Sequence, residues 1–410
     1  MKTHSSLLSA IPTTIFTVMS ALAVRHDAIN LGQGFPDTEG PQDIVRAAAD
    51  ALLDQRNQYP PLAGLPVLRE AVADCNRRFY GLAIDPLREV VVTSGATEAL
   101  TASLMALVDP GDEVVLIEPF YDTYLPVVRL LGGVPRVVRL REPAPGAGDW
   151  SLPLDDLAAA FGPRTKAILL NTPMNPTGKV FSRDELGIIA DLVTRHDAYA
   201  ICDEVYEHLT FAPAKHVPLM TLPGMRDRCI RIGSAGKSFS LTGWKVGYAT
   251  ASEPLAGMIA KAHQNLTFTT PPNLQRAVAL GLSKDLDYFE ALSESLAARR
   301  DLLAEGLREV GFDVLPCSGS YFVIADIRPL GLPGEAGRDA MAFCRLITER
   351  ARVAAIPVSA FYDGADPPAH LVRFAFCKRE AVLREAVARL RTLFSLRDAS
   401  NAVDAVAQFP

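Results

Sequence analysis

Apolar and polar positions along residues 43–284 follow two rhythms. Runs such as Glu113-Val-Val-Leu-Ile117 and Lys166-Ala-Ile-Leu-Leu170 are apolar almost throughout, as strands covered on both faces must be. Between such runs, apolar residues recur every three to four positions, the spacing of a helix with one buried stripe. The pattern predicts helices over 43–54, 66–80, 97–108, 121–131, 154–161 and 182–196. It predicts strands over 89–93, 113–117, 135–140, 166–171, 199–202 and 229–232. Alternation of this kind implies an α/β fold with a mostly parallel sheet between two helical layers.

The rhythm changes after about residue 285. A long helix over 288–310 carries Leu292, Leu296, Leu302, Leu303 and Leu307 on one face. Strands over 321–327, 353–358 and 371–376 and a closing helix over 380–396 follow, a mixture that suggests a smaller α+β domain. The expected organisation is therefore a large domain over 43–284 and a small one over 285–397. Residues 1–42 form an arm that adds to the small domain, and 398–410 form a tail. The Pro/Gly-rich stretch 143–149 reads as an exposed loop. The apolar start of the chain is broken by Pro12, Thr13, Thr14, Thr17 and Ser20, which suits an arm packed on the body or on a second subunit better than a secretory leader. No apolar run reaches eighteen residues, so no membrane span is expected.

Composition narrows the class of partner. The 410 residues are 49% hydrophobic and 21% charged, with 41 basic and 47 acidic side chains and a net charge of −6. That balance fits a soluble, multi-domain protein and gives nucleic acid or an anionic membrane no basic patch to bind. The six cysteines are scattered, with no CxxC pair or Cys/His cluster, so reduced thiols in a cytoplasmic protein are expected, with no metal site.

Candidate chemistry centres on Lys237, in Gly233-Ser-Ala-Gly-Lys237-Ser-Phe-Ser. Small neighbours leave its amine approachable, and the strand just upstream places it on a loop leaving the sheet, a setting suited to Schiff-base chemistry. The same Gly-Lys-Ser could end a phosphate loop, but the glycine that motif needs six residues earlier is Arg231. Other strand ends are unusually polar. The strand over 199–202 runs into Asp203-Glu-Val-Tyr206, and a carboxylate there is costly unless a positive partner meets it. Asn171-Thr-Pro-Met-Asn175-Pro-Thr-Gly178 forms a stiff polar turn, and its Xaa-Pro bonds permit cis peptides. Thr93-Ser-Gly-Ala-Thr97 frees backbone N–H groups at a helix start, an anion site. Glu118-Pro-Phe-Tyr121 offers an aromatic platform. All lie at the carboxyl ends of predicted strands, where open α/β sheets bind ligands.

Together with Asn30-Leu-Gly-Gln-Gly34-Phe-Pro-Asp37, Asn57-Gln-Tyr59, Gly243-Trp-Lys245 and Arg373-Phe-Ala-Phe, these segments resemble, in order, a fold-type-I class I/II aminotransferase dependent on pyridoxal 5′-phosphate. The chain is similar in particular to the kynurenine/glutamine/methionine aminotransferases and the bacterial N-succinyldiaminopimelate aminotransferases, over about residues 8–396. The resemblance implies that Lys237 forms the cofactor aldimine and shuttles a proton, with Asp203 paired to the pyridine nitrogen. Asn175 and Tyr206 would bond the ring 3′-oxygen, and Tyr121 would stack on the ring. Gly95, Ala96, Thr97, Ser234 and Lys245 would hold the phosphate, joined by Tyr59 from a second subunit. Arg373 would grip the substrate carboxylate beside Gly34, with Phe35 and Asn175 close by. Lys245 stands where many class I members have arginine.

The implied activity is ping-pong transfer of an amino group from an L-amino acid to a 2-oxo acid by a homodimer with shared sites. The same cofactor could instead serve β-elimination, decarboxylation, oxidation or carbon–carbon bond formation. A regulator built on this fold would need a basic DNA-binding domain ahead of Asn30, and none is seen. Phe35, Thr97, Phe268 and Thr269 are the expected substrate-pocket positions, the last two from the partner subunit. The small, polar Thr97 and Thr269 suggest room for a longer or hydrogen-bonding side chain.

Overall fold

The computed structural model describes residues 4–144, 148–364 and 366–395. The tail at 398–410 and the middle of the 143–149 loop lie outside the described residues. In chain order the strands are β1 (Ile29–Asn30), β2 (Val90–Ser94), β3 (Glu113–Glu118), β4 (Val134–Arg139), β5 (Thr165–Asn171), β6 (Tyr199–Asp203), β7 (Cys229–Ser234) and β8 (Val246–Thr250). β9 (Asp313–Val314), β10 (Phe322–Asp326), β11 (Val353–Ala354), β12 (Ile356–Pro357) and β13 (Leu371–Ala375) follow.

β2 to β8 form one seven-stranded sheet in the order β2-β8-β7-β6-β5-β3-β4. All its pairings are parallel except those of β8, which runs antiparallel to both β2 and β7. Two successive reversals bring β2 back into the direction of β7. The carboxyl ends of β2, β3, β5, β6 and β7 therefore share one edge of the sheet.

Period-two alternation explains how both faces become covered. Val114 and Leu116 of β3 join one apolar core, together with Leu169, Ile201 and Ile230. Val115 and Ile117 join the opposite one, with Ile168, Leu170 and the helices Leu154–Ala160 and Arg183–Arg195. Ser182 starts the latter helix with a full capping box, its side chain on the Glu185 N–H and the Glu185 carboxylate on the Ser182 N–H.

The remaining strands make an antiparallel sheet β12-β13-β10-β9 and a parallel pair β1–β11. Phe322, Val323 and Phe374 from that region share a continuous core with Leu116 and Ile230 of the large sheet. The arm helix Ile15–Arg25 buries Met19 and Ala23 and packs beside β1, β11 and β12.

Several sequence-based expectations need correction. The helix expected from 121 starts at Tyr124, because Tyr121-Asp-Thr is spent on a turn. The single strand expected over 353–358 is two strands in different sheets, β11 against β1 and β12 against β13, followed by a 3-10 turn at Val358–Phe361. Strand β8 and the helices Glu253–Leu266 and Pro272–Leu282 were not anticipated. Both helices start beside a proline and pack amphipathically, the first along Gly95–Leu107 and the second along Gln42–Asp54 and Pro66–Tyr80.

Candidate active site

β7 runs directly into the one-turn helix Ala235–Ser238, so Lys237 sits on a helix where a loop was expected. Gly236 lets this turn pack closely: a Cβ there would lie 2.9 Å from Thr242 Cα. The Lys237 side chain is half-buried and lines a cavity of about 540 Å³ at the carboxyl edge of the large sheet. Burial pushes its amine down from 10.5 to about 8, against the opposing pull of Cys377 and Asp203. An amine so placed loses its proton around pH 8, well below an ordinary lysine. Its Nζ donates to the Tyr321 hydroxyl at 3.0 Å and lies 5.7 Å from the centre of the Tyr206 ring.

Asp203 ends β6 at one side of the same cavity and is 8% exposed. A positive partner was expected beside it, but its hydrogen bonds come from the Tyr124 hydroxyl at 2.5 Å and the Val205 N–H at 3.4 Å. Burial raises its pKa above 3.8, while the Tyr124 bond and the Lys237 charge work the other way. A buried carboxylate satisfied only by neutral donors favours a cationic N–H brought in from outside. Asn171 ties the turn together, its amide donating to the Asp203 carbonyl at 2.9 Å and its oxygen accepting from the Asn175 N–H at 2.7 Å. The Thr172–Pro173 and Asn175–Pro176 bonds in this turn are cis.

The positions expected to bind phosphate line the same cavity. Gly95 (φ +74°) opens the 13-residue helix Gly95–Leu107, whose first turn includes Ala96 and Thr97. Gly247 lets β8 pass close beneath it, since a Cβ there would lie 2.5 Å from the Gly95 carbonyl carbon. Ser234 and Lys245 line the cavity beside these residues. A helix start plus a cation is an anion site.

Arg373, on β13, is 0% exposed. One Nη donates to Asn175 Oδ1 at 2.7 Å and the other to the Gly32 carbonyl at 2.6 Å, while Nε has no partner. Phe16, Phe322 and Phe361 surround the guanidinium, with the Phe322 ring centre 3.9 Å from Cζ. Burial lowers its pKa from 12.5 to about 10. Gly34 abuts the same aromatic group, and a Cβ on it would lie 2.4 Å from Phe322 Cζ.

Gly34, Phe35, Gly95, Ala96, Thr97, Tyr121, Asn175, Asp203, Tyr206, Ser234, Lys237, Lys245 and Arg373 all line this one cavity. Tyr59 does not. It is 81% exposed and meets the exposed Phe268 edge-on at 5.3 Å, and neither Phe268 nor Thr269 lines the cavity of its own chain. Sequence reasoning missed Tyr124 and Tyr321. The signal for each was a tyrosine one turn, or one strand, from a named motif.

Elsewhere, Glu204, Glu207 and His216 bring three potential ligand atoms within 4.8 Å of one another. Both carboxylates are already engaged by the buried Arg231, at 2.6 and 2.8 Å. A surface depression of about 740 Å³ bordered by Glu70, Arg77, Arg88 and Glu253 shares no residue with the Lys237 cavity. Among the described residues no helix is long and apolar enough to cross a membrane.

Comparison with known proteins agrees with this geometry. The sequence profile of the family described as aminotransferase class I and II matches residues 26–390. A probable N-succinyldiaminopimelate aminotransferase of Mycobacterium tuberculosis is 47% identical over 396 residues, covering 95% of this chain and 98% of that protein. A methionine aminotransferase of Escherichia coli is 40% identical over 389 residues, covering 95% and 98%. The solved N-succinyldiaminopimelate aminotransferase from M. tuberculosis superposes with a TM-score of 0.91, covering 95% of this chain and all of that one.

Proposed function

The chain belongs to the class I and II aminotransferases, enzymes that transfer amino groups with pyridoxal phosphate, and we propose that its own cofactor and substrate are held by the residues of the Lys237 cavity. The observation that carries this reading is the convergence of three features on that cavity. They are an amine pushed down to about 8, a buried carboxylate lacking a cationic partner, and a buried guanidinium with a free N–H.

Pyridoxal phosphate would supply an aldehyde for the lysine and an electron-withdrawing ring. Lys237 would offer the covalent attachment point, and its amine, when free, would accept and return a proton at Nζ. Asp203 would hold a cationic ring N–H. Asn175 and Tyr206 would bond the ring oxygen, and Tyr121 would pack against the ring. The first turn of Gly95–Leu107, with Ser234 and Lys245, would bind the phosphate. Arg373 turns its free donor to the substrate carboxylate, near Gly34, while Phe16, Phe322 and Phe361 exclude water around it.

Exposed Tyr59 and Phe268 fit a homodimer in which each copy completes the other's site. Gln33, Thr97, Asp122 and Thr123 give the cavity a polar lining beyond the core residues, which favours amino donors with long, hydrogen-bonding side chains. Two relatives named for N-succinyldiaminopimelate and methionine, both with side chains longer than those of alanine or valine, support room for a long donor. The test is to add amino acids singly to the yellow enzyme and follow loss of the visible band, then recovery with pyruvate or 2-oxoglutarate. Confinement of bleaching to small apolar donors would overturn the substrate reading.

A further inference from the structure

The hydroxyl of Tyr321 has one proton to give, and it gives it to the Gly34 carbonyl. Toward Lys237 it can therefore only accept, and it does so from Nζ at 3.0 Å. This distinction matters chemically. A hydroxyl that donated to the amine would occupy the nitrogen lone pair, whereas one that accepts an N–H leaves that pair free.

The surroundings fix this arrangement. The Tyr321 ring is 1% exposed and meets Tyr206 edge-on at 5.1 Å and Phe322 at 4.7 Å. Just before it, Ser320 holds a left-handed backbone (φ +64°) and donates its N–H to the Leu209 carbonyl at 2.8 Å. Gly319 passes so close to Pro173 that a Cβ would lie 2.7 Å from it. Gly34 is equally constrained, since a Cβ on it would come within 2.8 Å of Tyr321 Cε2. Only a glycine there lets its carbonyl reach the hydroxyl.

We propose that Tyr321 is a positioning residue for the reactive amine, holding Lys237 by one N–H so that its lone pair faces the reacting atoms whenever it is not covalently engaged. The inference rests on the role given to Lys237 above. Tyr321 gains and loses no proton in the cycle. The amine alone takes a proton on its lone pair and returns it.

The test is Tyr321→Phe, which keeps the ring and its contacts but removes the acceptor. Loss of orientation is expected to slow the single-turnover reaction with an amino donor about 10- to 100-fold, while the half-saturating donor concentration stays within about threefold. Because the hydroxyl accepts from the protonated amine as well, its removal disfavours that form and shifts the acid limb of the pH–rate profile down by about half a unit or more. A residue that merely packed would leave that limb in place. Incorporation of 3-fluorotyrosine at 321, which keeps ring and hydroxyl but weakens the acceptor, should move the limb the same way by less. Rates within threefold of the parent, or a raised half-saturation with an unmoved limb (an effect through Gly34), would overturn the proposal. Borohydride fixation of cofactor on parental Lys237 separates the two readings. If it fails, the assignment of Lys237 falls, and if it succeeds while Tyr321→Phe behaves as the parent, only the role of Tyr321 falls.

Discussion

Replacing Arg373 with methionine separates what the guanidinium does for the fold from what it does for the substrate. The cation is fully buried with no carboxylate bonded to it, and burial holds its pKa near 10 against an ordinary 12.5. That depression corresponds to about 3 kcal/mol against the charged form. Because the folded value is the lower one, this cost is fully present below about pH 10 and disappears only above the unfolded value. At neutral pH, methionine removes it. Against that gain, the Asn175 Oδ1 and Gly32 carbonyl lose their donors, at about 1–3 kcal/mol each. The terms nearly cancel, so Arg373→Met should melt within a few degrees of the parent. Turnover should behave differently. Loss of one partner of a desolvated charge pair costs about 2–5 kcal/mol, or roughly 30- to several-thousand-fold in kcat/KM for amino donors. Melting curves, cofactor content and donor kinetics on the same preparation give the answer. Donor kcat/KM within threefold of the parent would refute the carboxylate role, and loss of fold or cofactor would show that the arginine is structural first.

Three further outcomes follow from the same geometry. Lys245→Ala should weaken cofactor binding about 10- to 100-fold, the worth of one charge-assisted hydrogen bond, yet leave covalent attachment at Lys237 intact. Equilibrium titration with pyridoxal phosphate reads both quantities. Tyr124→Phe strips Asp203 of its 2.5 Å donor, which pushes the carboxyl pKa further up and should speed cofactor release about tenfold; an unchanged release rate would contradict the role of Asp203. The cofactor-free protein should capture pyridoxal phosphate about tenfold faster per pH unit until roughly pH 8, then level off, since the Lys237 amine loses its proton there. A rate still climbing steadily past pH 10 would mean an ordinary lysine.

The central sheet is readable from sequence because β3, β5 and β6 are buried on both faces and so carry unbroken apolar runs. β8 escapes that rule. Val246-Gly-Tyr-Ala-Thr250 is just as buried, but its glycine is demanded by close passage under Gly95, which interrupts the apolar run. Periodicity also cannot say which sheet a strand joins, so the break at Ala355 between β11 and β12 is invisible without the partners β1 and β13. The site shows the same division. Polar residues at strand ends announce Asp203, Asn175 and Lys237, because polar groups there defy packing. Tyr124 and Tyr321 are aromatic residues beside apolar neighbours and look like core until the hydroxyls are seen to bond Asp203 and Lys237.

Borohydride reduction of the purified protein after incubation with pyridoxal phosphate, followed by peptide mapping, is the most direct trial of the cofactor assignment. A pyridoxyl group fixed on Lys237, and lost in Lys237→Ala, is the expected result. A colourless protein, or a group fixed instead on Lys245 or any other lysine, would contradict it.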